Sequence, residues 1–230
     1  TLALTGIGLT FPIISIITAF TQLFGMGGAP LCSIARGEGN HERAETVMNN
    51  SFSLLLISGA ALTVFFLALK KPILYLFGAS DQTFPYADAY LTIYLVGTVF
   101  VMIGLGMNSF INSQGFGRMG MMTVLLGAVV NIALDPVFIF VLNMGVQGAA
   151  LATVISQFLS AAWVLRFLTG KQAIYRLKPE RMRLQKRLVG QISALGLSGF
   201  MMAVTNSAVQ IVCNATLQQF GGDLYVGIMT

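Results

Sequence analysis

Val129-Val-Asn131-Ile-Ala-Leu-Asp135-Pro136-Val-Phe-Ile-Phe-Val-Leu-Asn143-Met-Gly-Val-Gln-Gly148-Ala-Ala-Leu-Ala-Thr153-Val-Ile-Ser-Gln157 is the stretch whose reading decides the fold. Asn131 and Asp135 stand four residues apart and therefore share one face of a helix. Both sit inside an apolar run, where a carboxylate is costly unless a cation compensates it. Asp135 reads as the acidic residue placed deepest in any hydrophobic segment, which makes it the first functional suspect. Pro136 removes a backbone hydrogen bond and frees a carbonyl one turn earlier, and such a carbonyl can become a cation ligand where it lines a cavity. The short turn at 143–148 makes the helices on either side antiparallel neighbours, which brings Thr153 to the depth of Asp135.

The rest of the chain fits a membrane setting. Of 230 residues, 56% are hydrophobic and 9% charged, against a charged fraction of about 25% in soluble domains; mean hydropathy is +0.80. The expected fold is an all-α polytopic transmembrane bundle. A net charge of +5 does not point to nucleic acid, because the basic residues sit between apolar segments, as membrane topology requires. Arg166, Lys171, Arg176, Lys178, Arg181, Arg183, Lys186 and Arg187 are eight of the thirteen basic residues. They mark the loop 170–187 as cytoplasmic. Alternation then puts Arg36, Arg43 and Arg118 on the same side and only Lys70 and Lys71 outside.

Apolar segments are expected at about 4–34, interrupted by Thr21 and Gln22, and at 46–69, stopping at Lys70-Lys71-Pro72. Ile73 to Gly78 is too short to cross and is expected at the interface. Further segments are expected at 86–112, 119–142, 149–168 and 188–217. In the last of these, Asn206, Gln210 and Asn214 recur every four residues and form one polar face. Such a stripe points to a cavity or a partner helix, so Asn206, Gln210 and Gln22 are candidate cavity-lining residues.

Three formal motifs carry no chemistry. His41 beside Glu38, Glu42 and Glu45 is a poor metal set and reads as a solvated turn, with Glu42 and Glu45 suiting the dipole of the following helix. Gly115-Phe-Gly-Arg-Met-Gly120 matches GxGxxG but joins two membrane-length segments and lacks the strand that motif needs. It reads as a tight turn. Cys32 and Cys213 lie in separate apolar segments and read as small buried hydrophobes. Thr1 begins within an apolar segment and Thr230 ends abruptly, so the chain is expected to be part of a longer protein.

Asn131-x-x-x-Asp135-Pro-Val-Phe-Ile-Phe followed by Asn143-Met-Gly-Val-Gln-Gly-Ala-Ala-Leu-Ala-Thr153 resembles the fifth and sixth helices of the multidrug and toxic compound extrusion (MATE) transporters. Gly37-Glu-Gly-Asn40 with Ala44 resembles the loop after that family's second helix, and Gly115-Phe-Gly117 the loop after its fourth. The resemblance covers essentially the whole chain. It implies two six-helix lobes, of which this chain supplies helices two to seven: most of the N-terminal lobe at 1–169, the interlobe loop at 170–187, and the first helix of the next lobe at 188–230. Gly227-Ile228 laid over Gly6-Ile7 fits a repeat of that size.

The resemblance further implies a cation site formed by Asn131, Asp135 and Thr153 together with an Asp of a first helix that the chain does not contain. Where some branches carry a Glu in the seventh helix this chain has Asn206, a departure from coupling through the second lobe. The expected function is export of drugs or other amphipathic organic cations across a bacterial or archaeal plasma membrane, driven by Na⁺ or H⁺. No other cofactor, no metal beyond a Na⁺ at Asp135 and no catalytic residue is implied. The expected partners are small organic cations, membrane lipid and the remainder of the same transporter. A carboxylate shielded from water suits proton exchange, while the hard oxygens of the trio suit a small cation. The alternatives are a lipid-linked oligosaccharide flippase of similar architecture, a scaffold in which Asp135 is merely paired within the bundle, and an intramembrane enzyme, for which the needed nucleophile and base are not evident.

Overall fold

The computed structural model describes residues 2–229, with side chains described through Gln219, and no strand occurs among them. The suggested match at Gly227-Ile228 lies outside the residues whose side chains are described. Eight α-helices follow one another: α1 (Leu2–Gly8), α2 (Phe11–Gly37), α3 (His41–Leu76), α4 (Phe84–Val96), α5 (Thr98–Ser113), α6 (Gly117–Pro136), α7 (Gly145–Thr169) and α8 (Lys186–Met229). Among the described residues five stretches are long and apolar enough to cross a bilayer, or six when the bent pair α4–α5 is counted as one span.

Three boundaries depart from the sequence reading. The first crossing is broken at Leu9-Thr10 and not at Thr21 and Gln22, which lie inside a continuous α2. The Thr21 hydroxyl donates to the Ile17 carbonyl at 2.9 Å, so a polar side chain at depth is satisfied without breaking the helix. The second crossing does not stop at Lys70-Lys71-Pro72, for α3 runs through them to Leu76. Pro72 forfeits a single hydrogen bond. Lys70 is neutralised by Asp88 of α4 at 2.8 Å and bonded to Thr92 Oγ1 at 2.8 Å, while Leu74 is fully buried. The stretch expected at the interface is thus the last turn of α3, where Tyr75 stacks on Phe84 at 5.1 Å.

The third departure is a bend of 56° between α4 and α5 at Gly97. A Cβ on Gly97 would come within 2.6 Å of Val154 Cγ2 on α7. The bend therefore lies against α7, one residue from Thr153. The turn between α5 and α6 contains Gly115 at φ +90°, a left-handed conformation open to glycine.

The long helix α2 packs on α8, α3 and α5. Ile13, Ile17, Met107 and Phe110 are fully buried there. Against α8 the backbones meet, since a Cβ on Gly27 would strike the Ile192 carbonyl and one on Gly196 the Leu23 carbonyl. Small residues allow this approach in membrane helices. Nearer the opposite end of α2, the Ser207 hydroxyl donates to the Pro12 carbonyl at 2.9 Å. By contrast α6 is peripheral, with Val129 and Ile132 mostly exposed.

Candidate functional site

Asn131 and Asp135 occupy the last turns of α6, and Thr153 the third turn of α7. The structure brings the two helices together so that Asn131 Nδ2 donates to Thr153 Oγ1 at 3.5 Å. Thr153 Oγ1 also donates to the Ala149 carbonyl at 2.9 Å, which fixes its rotamer. Asp135 is half-buried, and its Oδ1 is shielded from solvent with no hydrogen-bond partner. An unpaired carboxylate oxygen at bilayer depth is expensive to keep.

Directly after Asp135 the helix changes pitch. Pro136 ends α6, and Val137–Val141 form a π-helical turn closed by Leu142 N donating to the Val137 carbonyl at 2.9 Å. Such turns widen the helix and shift backbone carbonyls out of the regular ladder. Sequence reasoning missed Tyr90 of α4, which is 8% exposed and whose phenol interacts with Thr153 by hydrogen bonding and lies in the electrostatic field of Asp135. A tyrosine in an apolar segment reads equally as an interfacial aromatic, so the sequence held no distinguishing signal.

Beside the Asn131–Thr153 contact lies a cavity of about 250 Å³ between α5, α6 and α7, lined by Asn108, Thr123, Asn131, Thr153, Gln157 and Ser160 among others. Asn108 Oδ1 is buried and unpaired. The oxygen donors around Asp135 and this cavity suit a hard cation or a proton more than a soft metal.

The structure places the other sequence-selected residues apart from this cluster. Gln22 on α2 lies against Gly199 of α8, whose Cβ would be 3.2 Å from Gln22 Oε1. Gln210 accepts from Ser15 Oγ at 3.5 Å across the same helix pair. Gln22 and Gln210 thus belong to the α2–α8 seam, whereas Asn206 is exposed.

A second polar assembly was invisible as a motif. The segment 173–185, expected as a linker, is strapped across α3. Arg176 N donates to Glu45 Oε1 at 3.2 Å and Lys178 N to Asn49 Oδ1 at 2.8 Å. Gln185 N donates to Asn50 Oδ1 at 2.8 Å, and Ser53 Oγ donates to the Met182 carbonyl at 2.9 Å. Tyr175 N donates to Gln114 Oε1 at 3.0 Å, and the Tyr175 hydroxyl meets His41 Nδ1 at 3.0 Å. Glu45 thus does more than suit a helix dipole: it is buried and faces both Lys178 and Arg181. Glu38 pairs with Arg43 and Glu42 with Arg181. Burial raises the Tyr175 phenol above its ordinary pKa, with the nearby Arg36 opposing.

The comparisons follow the same lines. The MatE family model matches residues 1–137. The chain is 28% identical over 218 residues to the multidrug export protein MepA of Staphylococcus haemolyticus (strain JCSC1435), covering 95% of this chain and 48% of that protein. It therefore spans about half the length of the curated relatives it matches. Among solved structures, the MATE multidrug transporter DinF-BH in complex with R6G superposes with a TM-score of 0.92 at 35% identity, over 99% of this chain and 51% of that one. An inward-facing conformation of a multidrug resistance MATE family transporter gives 0.94 at 24% identity, over 99% and 52%.

Proposed function

The chain belongs to the MatE family, and from that premise we propose that it forms about half of a cation-coupled antiporter that exports amphipathic organic cations. The observation that carries this reading is the shielded, unpaired carboxylate oxygen of Asp135 beside the Asn131–Thr153 contact. Na⁺ or H⁺ arriving there neutralises the carboxylate, with Asn131 and Thr153 supplying hard oxygens to a metal ion. Neutralisation changes the packing of α4, α6 and α7 around it, and that change is coupled to drug release. The names of MepA and of the DinF-BH complex support the substrate class.

In this reading residues 1–169 belong to one lobe and α8 begins the next, so the α2–α8 seam lies between lobes that move against each other. Loop 170–187 is cytoplasmic. In support, the ends of α2, α5 and α7 gather with that loop at one end of the bundle through the His41–Tyr175, Gln114–Tyr175 and Arg36–Ser113 contacts. The basic residues gather there too, with Lys70 and Lys71 at the other end, as the positive-inside rule requires of a plasma-membrane protein.

The test is efflux of a fluorescent cationic dye from cells expressing the full-length transporter, wild type against Asp135→Asn, under separately imposed Na⁺ and H⁺ gradients. Dye extrusion lost in a well-expressed Asp135→Asn variant is the expected result, and the driving gradient names the ion. Equal extrusion by both proteins makes Asp135 structural and overturns the coupling site.

A further inference from the structure

A cavity of about 360 Å³ lies between the start of α6 and the last turns of α7, lined by Met119, Trp163, Arg166, Phe167, Lys171 and Gln172 among others. It is separate from the Asp135 cluster and has no part in the transport reading. Its charge is one-sided. Arg166 and Lys171 are exposed and make no ion pair among the described residues, while Glu38, Glu42 and Glu45 at the same end are each taken by other basic residues. No carboxylate lines the cavity.

The walls are apolar and fixed, with Phe167 set edge-on against Phe116 at 5.1 Å. Trp163 completes them, and its indole Nε1 has no hydrogen-bond acceptor. Indole rings and basic side chains at the end of a membrane-length helix mark headgroup depth. Towards the bilayer centre the same two helices expose Met122 (46%) and Leu159 (37%), apolar surface suited to acyl chains.

The larger cavity at this end, about 500 Å³ between α3 and α8, differs in kind. It includes Arg43 and Arg187 but also Glu42, and Arg43 is already paired with Glu38. A phosphate there would face a carboxylate. Between α6 and α7 it would face a guanidinium, an ammonium and an amide, all uncommitted. Guanidinium matches phosphate oxygens in a two-pronged fashion, and basic pockets between membrane helices accommodate anionic headgroups.

We propose that the α6–α7 cavity is a binding site for the phosphate headgroup of an anionic phospholipid, with Arg166 and Lys171 holding the phosphate and Trp163 walling it. The lipid braces the hairpin that carries Asn131 and Thr153, but binding does not depend on transport.

The test uses the purified full-length transporter, with retained lipid read by native mass spectrometry after exchange into phosphatidylcholine or phosphatidylglycerol. Arg166→Ala with Lys171→Ala is compared with Arg183→Ala with Lys186→Ala, which removes the same charge from the same loop outside the cavity. The expected result is retention of phosphatidylglycerol over phosphatidylcholine, lost severalfold in the first double variant and unchanged in the second. Trp163→Phe, which keeps the wall, reads the same cavity and gives the answer should the first double variant fold poorly; weaker retention is expected. Equal loss in both double variants would mean a diffuse basic field and overturns the site. Displacement of the lipid by inorganic phosphate would overturn the lipid assignment in favour of a free-anion site.

Discussion

Glu45 Oε2 lies 3.0 Å from Lys178 Nζ and 3.4 Å from Arg181 Nε, so a buried carboxylate on α3 ties down the chain that leads into α8. The Glu45 side chain is 11% exposed, against 46% for Lys178 and 29% for Arg181. The two cations can rehydrate if the acid is removed, so the cost is moderate. Glu45→Gln is expected to destabilise by about 1–3 kcal/mol, read as a lower melting temperature and faster protease nicking within 171–185. Unchanged nicking would mean that the backbone hydrogen bonds hold the strap alone.

Asp135→Asn is expected to leave the melting temperature unchanged or raised, because it removes a charge that has no ion-pair partner among the described residues. Ion-driven efflux should fall by about tenfold or more, the effect of losing roughly 1.4 kcal/mol of coupling. A variant that unfolds instead would show the carboxylate to be a structural pair.

Tyr90→Phe keeps the buried ring and removes the hydroxyl that bonds Thr153 and lies in the field of Asp135. Efflux should then require a severalfold higher concentration of the driving ion, with expression unchanged. No shift in ion dependence would confine Tyr90 to packing.

Gly27→Ala and Gly196→Ala each push a methyl into a backbone carbonyl of the facing helix. Neither contact can be relieved by a rotamer change, so each is expected to cost about 1–3 kcal/mol and to open the α2–α8 seam. Gly190→Ala is the control, since a Cβ there meets nothing within 4 Å and should gain up to about 1 kcal/mol of helix propensity. Melting of the three variants decides it.

The membrane-length segments were legible because each is a long apolar run, and loop charge ordered them. What failed to show was set by partners remote in sequence. Nothing near Lys70 announces that Asp88 will neutralise it, so α3 seemed to end there. Gly97 looks like any glycine in an apolar run until Val154 is brought against it. The Asn131–Asp135 spacing exposed one end of the candidate site, whereas Tyr90 joins it only through the packing of α4 on α7. The strap did leave a trace: Asn49, Asn50 and Ser53 crowd the start of an apolar segment, and the argument applied to Asn131 and Asp135 applies to them too. Their partners could not be read, because those partners are backbone atoms.

That last point bears on how freely this loop can be rewritten over generations. Glu45, Asn49, Asn50, Ser53 and Gln114 grip the amides and carbonyls of Tyr175, Arg176, Lys178, Arg181, Met182 and Gln185, groups that almost any amino acid would present. Apart from proline at the donating positions and the side chains of Tyr175, Lys178 and Arg181, the loop can drift in composition while keeping its path. Its length is not free in the same way, since one inserted residue would put every amide out of step with its acceptor. Mutational tolerance in 175–185 should therefore be wide for substitution and narrow for insertion or deletion, the reverse of what a slack connector would allow.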